Sequence, residues 1–323
     1  MSYTIIGTGS ALPQRVVSND ELSTFLDTSD EWIRTRTGIV TRHVAATETL
    51  DELAEAACKR ALESVGVTID TIDLIVCSTT SADHLMPAEA CAIAERLGAH
   101  GPAFDVSAAC SGFVYALDVA DGYFARGRAK RALIVSAEKM TRIMDWTDRS
   151  TCVLFGDGAG AVVAQAQGES PLWTRLTCDP NVAALEVPGV AGNCPFDQGR
   201  VDARPSVLSM KGPSVFHFAV SHVARELQCM EQETGIPLDQ IDHFIFHQAN
   251  ERILDAIAKK LSIPNEKIAH TIAETGNISS ACIPYALDQL NRAGKLKTGE
   301  LIVLVGFGAG LDIGSTLIRW KTS

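Results

Sequence analysis

The chain has 323 residues, 46% of them hydrophobic and 21% charged, with a formal net charge of −11. That is enough apolar material for one large domain or two fused halves. No apolar run reaches the ~18 residues of a membrane helix, and an acidic field repels nucleic acid, so neither is expected as a partner.

The opening MSYTIIGTGSALPQ has no basic segment ahead of a long apolar run and reads as a first strand rather than a secretory signal. LDELAEAACKRALESVG then predicts a helix stopped by Gly66, and IDLIVCSTTS a buried strand. PAEACAIAERLG predicts a helix with Pro87 in its first turn and Gly98 at its end, and RALIVSAE another strand. Such alternation implies a mostly parallel sheet with helices on both faces. The nine cysteines form no CxxC pair and no metal-ligand spacing, which points to a cytoplasmic chain with neither a disulfide framework nor a metal. Cys58, Cys77, Cys91, Cys152 and Cys229 lie in apolar runs and read as inert core.

The chain also echoes itself. GVTIDTIDLIVCSTTS from Gly66 is answered by GIPLDQIDHFIFHQAN from Gly235, and FGDGAGAVV by the terminal VGFGAGLDIGSTLI. Two ordered pairs of echoes imply two duplicated α/β halves. We divide them as residues 1–168 and 169–323, with the Pro- and Gly-rich stretch at about 169–204 read as a connecting loop insertion. Neither GFGAG at Gly306 nor GDGAG at Gly156 fits a dinucleotide loop. Leu311 replaces the last glycine of the first, with too little chain left for the rest of the unit, and the second runs straight into a strand-like AVVAQ.

Three residues carry candidate chemistry. Cys110 precedes a helix in DVSAACSGFVYALDV, where helix N–H groups and dipole favour thiolate and should bring its pKa below the free ~8.5. Read alone, it is equally a small core residue. His247 ends the strand IDHFIF, at the carboxyl edge where α/β ligand sites gather, although a half-buried histidine satisfied by backbone reads the same. Asn277 in ETGNISSACIP reads best, alone, as an N-cap or turn residue.

Taken together, TSDEWIRTRTGI, DVSAACSGF, TDRSTCVLFGDGAGA, HQANERIL, GNISSACIP and GFGAGLDIGS resemble the β-ketoacyl-acyl-carrier-protein synthase III family of thiolase-like condensing enzymes, over essentially the whole chain. The resemblance implies a thiolase-like α/β fold, two βαβαβ-type halves with mixed five-stranded sheets sandwiched by helices. It implies a Cys110-His247-Asn277 site performing decarboxylative condensation of an acyl-CoA with malonyl-acyl-carrier protein, and no cofactor or metal. Backbone amides of Cys110 and of the turn near Gly308 and Ala309 would hold the oxyanion, with Phe307 ordering the site. Trp32, Arg36 and Arg149 would hold the CoA nucleotide, and Thr28, Gly212, Phe216 and Asn250 its pantetheine arm. A local basic patch of Arg252, Lys259 and Lys260 would meet the acidic carrier protein, and a homodimer is implied. Met86 stands where many relatives have an aromatic lining the acyl pocket, His217 where they often have a lysine, and Asp312-Ile313 where they more often have Thr-Trp. These departures leave the starter chain open, and a specialised condensing enzyme or acyltransferase with a non-acetyl starter is the alternative.

Overall fold

The computed structural model describes residues 3–189, 196 and 205–321. In chain order its main elements are strand β1 (Tyr3–Ala11), helices α1 (Asp30–Thr37) and α2 (Leu50–Glu63), β2 (Leu74–Ser78), α3 (Glu89–Leu97), β3 (Ala103–Val106), α4 (Gly112–Ala125), β4 (Arg131–Lys139) and β5 (Asp157–Ala166). The second half follows with β6 (Trp173–Cys178), α5 (Gly212–Thr234), β7 (His243–Phe246), α6 (Glu251–Leu261), α7 (Cys282–Arg292), β8 (Leu301–Gly308) and β9 (Asp312–Arg319). Among the described residues no helix is long and apolar enough to cross a membrane.

The first sheet has the order β1-β5-β4-β2-β3 and the second β6-β9-β8-β7. The pairings repeat as well. In each sheet the first two neighbouring pairs are antiparallel, and the next, β4–β2 or β8–β7, is parallel. The second sheet has four strands rather than the expected five. Where the fifth would lie, Ile268 makes a single bridge to Phe244 and the amide of Ala269 donates to the Phe244 carbonyl. A turn at Asn265–Lys267 and the short helix Ile272–Thr275 leave too little extended chain between them for a longer ladder.

The stretch 169–204 is also more than a connecting loop, because Trp173–Cys178 forms the edge strand β6. Its signal was weak in sequence: only Trp173 is buried, and the remaining side chains are half-buried or exposed, so no clean alternation marks it. Residues 190–195 and 197–204 of that proposed insertion lie outside the described residues.

Alternation along each strand sends side chains to two apolar layers, which is why these strands read as continuous hydrophobic runs. Leu74 and Val76 of β2 face a central layer with Phe113, Leu117 and Phe124 of α4 and Ile283 and Leu287 of α7. Ile75 and Cys77 face outward onto α2 and α3. On the far side, Phe244 and Phe246 of β7 pack under α5 and α6. The outcome is helix, sheet, helix, sheet, helix, with α4 and α7 dry between the sheets. Phe113 is fully buried there, and truncating such a ring to alanine costs roughly 3–5 kcal/mol. Cys91, read as core, is instead exposed on α3, its thiol donating to the Ala103 carbonyl.

Helix ends follow local chemistry. Thr49 and Glu52 form a capping box at the start of α2. Gly98 ends α3 as expected and Gly235 ends α5, both at positive φ.

Candidate active site

Both central helices begin in the same way. Ala109–Ser111 forms one 3-10 turn ahead of α4, and Ser279–Ala281 another ahead of α7. The first turn contains Ala109 at φ 44° and the second opens with Ser279 at φ 50°, left-handed values that non-glycine residues rarely hold without a surrounding structure that enforces them. The two turns meet at the midplane, where Cys110 Sγ lies 3.5 Å from Ser279 Oγ.

The glycine-rich terminus explains itself here. A Cβ placed on Gly308 would lie 2.9 Å from the Cys110 nitrogen and 3.3 Å from its sulfur, and one on Gly306 would lie 2.6 Å from Ser111 Cα. The end of β8 is therefore pressed against the cysteine turn in a way only glycine permits. The GDGAG motif does a related job on the other side. A Cβ on Gly156 would lie 2.3 Å from the Thr275 carbonyl oxygen, and this closeness lets the chain at 154–156 pin Asn277. The Asn277 amide donates to the Leu154 carbonyl at 2.8 Å, and the Gly156 amide donates to the Asn277 carbonyl at 3.1 Å.

The side chain of Asn277 is oriented by the turn that follows it. The Ser279 amide donates to Asn277 Oδ1 at 2.8 Å. A backbone N–H can only face the carboxamide oxygen, which leaves the NH2 as the free, donating end. Asn277 is buried and lines a cavity of about 1000 Å³ that also reaches Cys110, His247, Phe307, Gly308 and Ala309. His247 follows β7, its amide bonded to the Val305 carbonyl at 2.8 Å. Its ring meets Phe307 edge-on, centroids 5.1 Å apart. Burial pushes the imidazole pKa down to about 3, with a backbone contact to Ser279 acting more weakly in the other direction. His247 is thus a neutral imidazole near pH 7, able to donate one N–H.

The expectation of a low Cys110 pKa fails. Burial pushes the thiol up to about 12, outweighing the opposing effect of the contact with Ser279, and the nearby Glu138 carboxylate adds to the rise. A helix terminus lowers a thiol pKa when water also reaches the sulfur. Here desolvation is the larger effect. Cys282 is likewise buried and raised, its thiol 4.0 Å from Asn277 Oδ1.

Of the other predicted residues, Trp32, Arg36, Gly212, Phe216, Asn250 and Arg252 line the same cavity. The Arg36 and Arg149 guanidiniums lie over the Trp32 ring, 5.9 and 5.2 Å from its centroid, and Arg149 also donates to Asp27. Asn250 caps α6 through the Arg252 amide and donates to the Arg36 carbonyl, tying the two halves at this end. Lys259 and Lys260 are exposed in the last turn of α6. Two assignments need correction. Thr28 is not among the residues lining the cavity, and its Oγ1 is buried without a partner. Met86 does not line the cavity of its own chain and is 84% exposed; the adjacent Leu85 is the lining residue.

Two neighbours of the cysteine escaped the sequence reading: Ser279, and Glu138 at the end of β4. Glu138 accepts from Ser279 Oγ at 3.0 Å and from Ser280 Oγ at 2.8 Å on one oxygen, and from Ser81 Oγ at 2.6 Å and the Thr80 amide at 3.1 Å on the other. A lone acid closing the otherwise apolar ALIVSA of β4 was the signal available.

Comparison with known proteins agrees with this architecture. Residues 104–180 match the family described as 3-oxoacyl-(acyl-carrier-protein) synthase III, and residues 232–320 match its C-terminal part. The chain is 48% identical to a beta-ketoacyl-(acyl-carrier-protein) synthase III of Alkalilimnicola ehrlichii over 329 residues, covering 99% of this chain and 100% of that protein. It is 47% identical to one of Xanthomonas campestris pv. campestris over 319 residues, 98% of each. The crystal structure of 3-oxoacyl-(acyl-carrier-protein) synthase III from Aquifex aeolicus superposes with a TM-score of 0.90 at 41% identity, covering 99% of this chain and 100% of that one.

Proposed function

The chain belongs to the β-ketoacyl-acyl-carrier-protein synthase III family, and we propose that Cys110, His247 and Asn277 carry out the reaction of that family here. The enzyme is an acyltransferase that condenses an acyl-CoA with malonyl-acyl-carrier protein, with loss of CO2, and so initiates fatty acid synthesis. The observation that supports this assignment of roles is the cavity of about 1000 Å³ that all three side chains line, with the Gly308 backbone closed on the cysteine.

In this reading the acyl-CoA nucleotide rests on Trp32 between Arg36 and Arg149, where an aromatic face and two cations suit a phosphorylated base. Its pantetheine arm follows Gly212, Phe216 and Asn250 inward. The Cys110 sulfur attacks the thioester carbon, and the Cys110 and Ala309 amides stabilise the tetrahedral oxyanion. CoA leaves, and malonyl-carrier protein takes its place, its acidic body guided by Arg252, Lys259 and Lys260. The malonyl thioester oxygen then accepts from His247 Nε2 and from the free NH2 of Asn277. Neutral donors are suited to this, since they stabilise the enolate as CO2 departs without adding a cation that would hold the carboxylate. The enolate carbon attacks acyl-Cys110 and releases the β-ketoacyl product. We place this work in the cytoplasm, in keeping with described cysteines that are all free, and in a homodimer, which the exposed apolar Leu85 and Met86 support.

Two half-reactions separate the roles. Intact mass after incubation with acyl-CoA reads acylation, and CO2 release from malonyl-carrier protein reads decarboxylation. C110A should abolish the acyl adduct. N277A should slow CO2 release by ~10²–10³-fold, the usual cost of one oxyanion donor, and acylation far less. Equal losses in both half-reactions for N277A would overturn the assignment.

A further inference from the structure

A carboxylate with no exposed surface stands one serine away from the cysteine sulfur. The donors it accepts from are hydroxyls and an amide, none of them a cation. Burying a charge this way is costly unless hydrogen bonds compensate. Most of these bonds tie the loop at 79–81 and the Ser280 turn to β4, and a structural staple accounts for them. It does not account for the Ser279 hydroxyl, which donates to Glu138 and also lies within hydrogen-bond reach of Cys110 Sγ.

We propose that Ser279 and Glu138 form the proton path for acylation of Cys110, with Ser279 touching the reacting sulfur and Glu138 acting through it. The inference rests on Cys110 being the nucleophile. As the sulfur lone pair closes on the thioester carbon, the S–H proton passes to Ser279 Oγ. The proton of Ser279 passes in turn to Glu138 Oε1. One negative charge exists throughout: on the carboxylate at rest, then on the tetrahedral oxyanion. When the C–S bond to CoA breaks, the proton returns along the same line to the departing thiolate. CoA-SH, acyl-Cys110 and the Glu138 carboxylate are left. A thiol that burial pushes up to about 12 needs such an acceptor, and nothing ties the neutral His247 to the sulfur by a hydrogen bond in the structure. The path also divides the labour: Ser279 and Glu138 serve the first half-reaction, His247 and Asn277 the second.

The test is single-turnover acylation by acetyl-CoA and, in parallel, octanoyl-CoA, read by intact mass in H2O and in D2O, with CO2 release from malonyl-carrier protein measured alongside. S279A and E138Q should slow acylation by about 10²-fold, at the lower end of general acid–base contributions, and slow CO2 release much less. Wild type should show a solvent isotope effect on acylation that S279A loses. S280A removes a bond to the same carboxylate oxygen without touching the sulfur, and should acylate within about threefold of wild type. If S279A acylates at the wild-type rate, or if S280A is impaired as much as S279A, the path is wrong and the cluster is only a staple. Should E138Q fail to fold, S279A against S280A still decides. Absence of any adduct on wild-type Cys110 would instead overturn the nucleophile assignment beneath it.

Discussion

Adding one methyl group at Gly308 tests the geometry of the site most sharply. The new Cβ would lie 2.9 Å from the Cys110 nitrogen and 3.0 Å from its Cβ, whereas ordinary contact begins at 3.4 Å. The atoms struck belong to a backbone turn and cannot swing aside like the end of a long side chain. Either β8 or the cysteine turn must move by ~0.5 Å, taking as a guide that misplacement by ~1 Å costs ~10²-fold in rate. Acylation of Cys110 in G308A should therefore fall by ~10-fold. Overpacking adds ~1–3 kcal/mol of destabilisation, which at ~2 °C per kcal/mol lowers Tm by ~2–6 °C. Stopped acylation read by intact mass and a thermal melt measure the two effects. The control is Gly122 in α4, where a Cβ meets nothing within 4 Å; G122A should raise stability by ~0.5–1 kcal/mol and leave acylation unchanged. A G308A enzyme that acylates at the wild-type rate would refute the claim that β8 is closed on the nucleophile.

Two further outcomes follow from the site. His247 has a folded pKa of about 3 against an unfolded value of ~6.5. Above pH ~6.5 neither state holds the proton. As pH falls below that, only the unfolded chain takes it up, so His247 costs up to ~1.4 kcal/mol of stability per pH unit. In urea melts at pH ~7 and ~5.5, wild type should lose ~1 kcal/mol more than H247Q, and equal losses would mean the native imidazole is already protonated. W32A should raise KM for acyl-CoA by ~3–30-fold, matching the ~0.5–2 kcal/mol of cation–π contacts, with little change in CO2 release from malonyl-carrier protein. A matching drop in both would point to a structural role for the ring.

Much of this was readable from residues alone, and for identifiable reasons. α2 announced itself through an apolar stripe and the stop at Gly66, and Glu138's strand through a run of β-branched and apolar residues. The duplication was visible because both copies kept the same Asp-bearing loop ahead of the β2 and β7 strands. The edge strand β6 was hidden because an edge needs burial on little more than one residue, and the fifth strand that the resemblance implied for the second sheet is reduced to a bridge at Ile268 because turns on either side consume its length. Met86 could not be placed against the cavity from sequence because a loop carries no periodicity to say which way its side chains face.

Sequence by itself determined which residues can do chemistry and the order of the elements, since these depend on side-chain type and on local periodicity. It also held the glycines of GFGAG and FGDGAGA without saying what they press against. Tertiary structure alone decided that Cys110 and Ser279, from opposite halves of the chain, meet at 3.5 Å, that the Asn277 carboxamide turns its NH2 to the cavity, and that the cysteine thiol is raised rather than lowered in pKa. Each of those depends on distance and desolvation, and neither quantity exists until two halves of a chain are packed against one another.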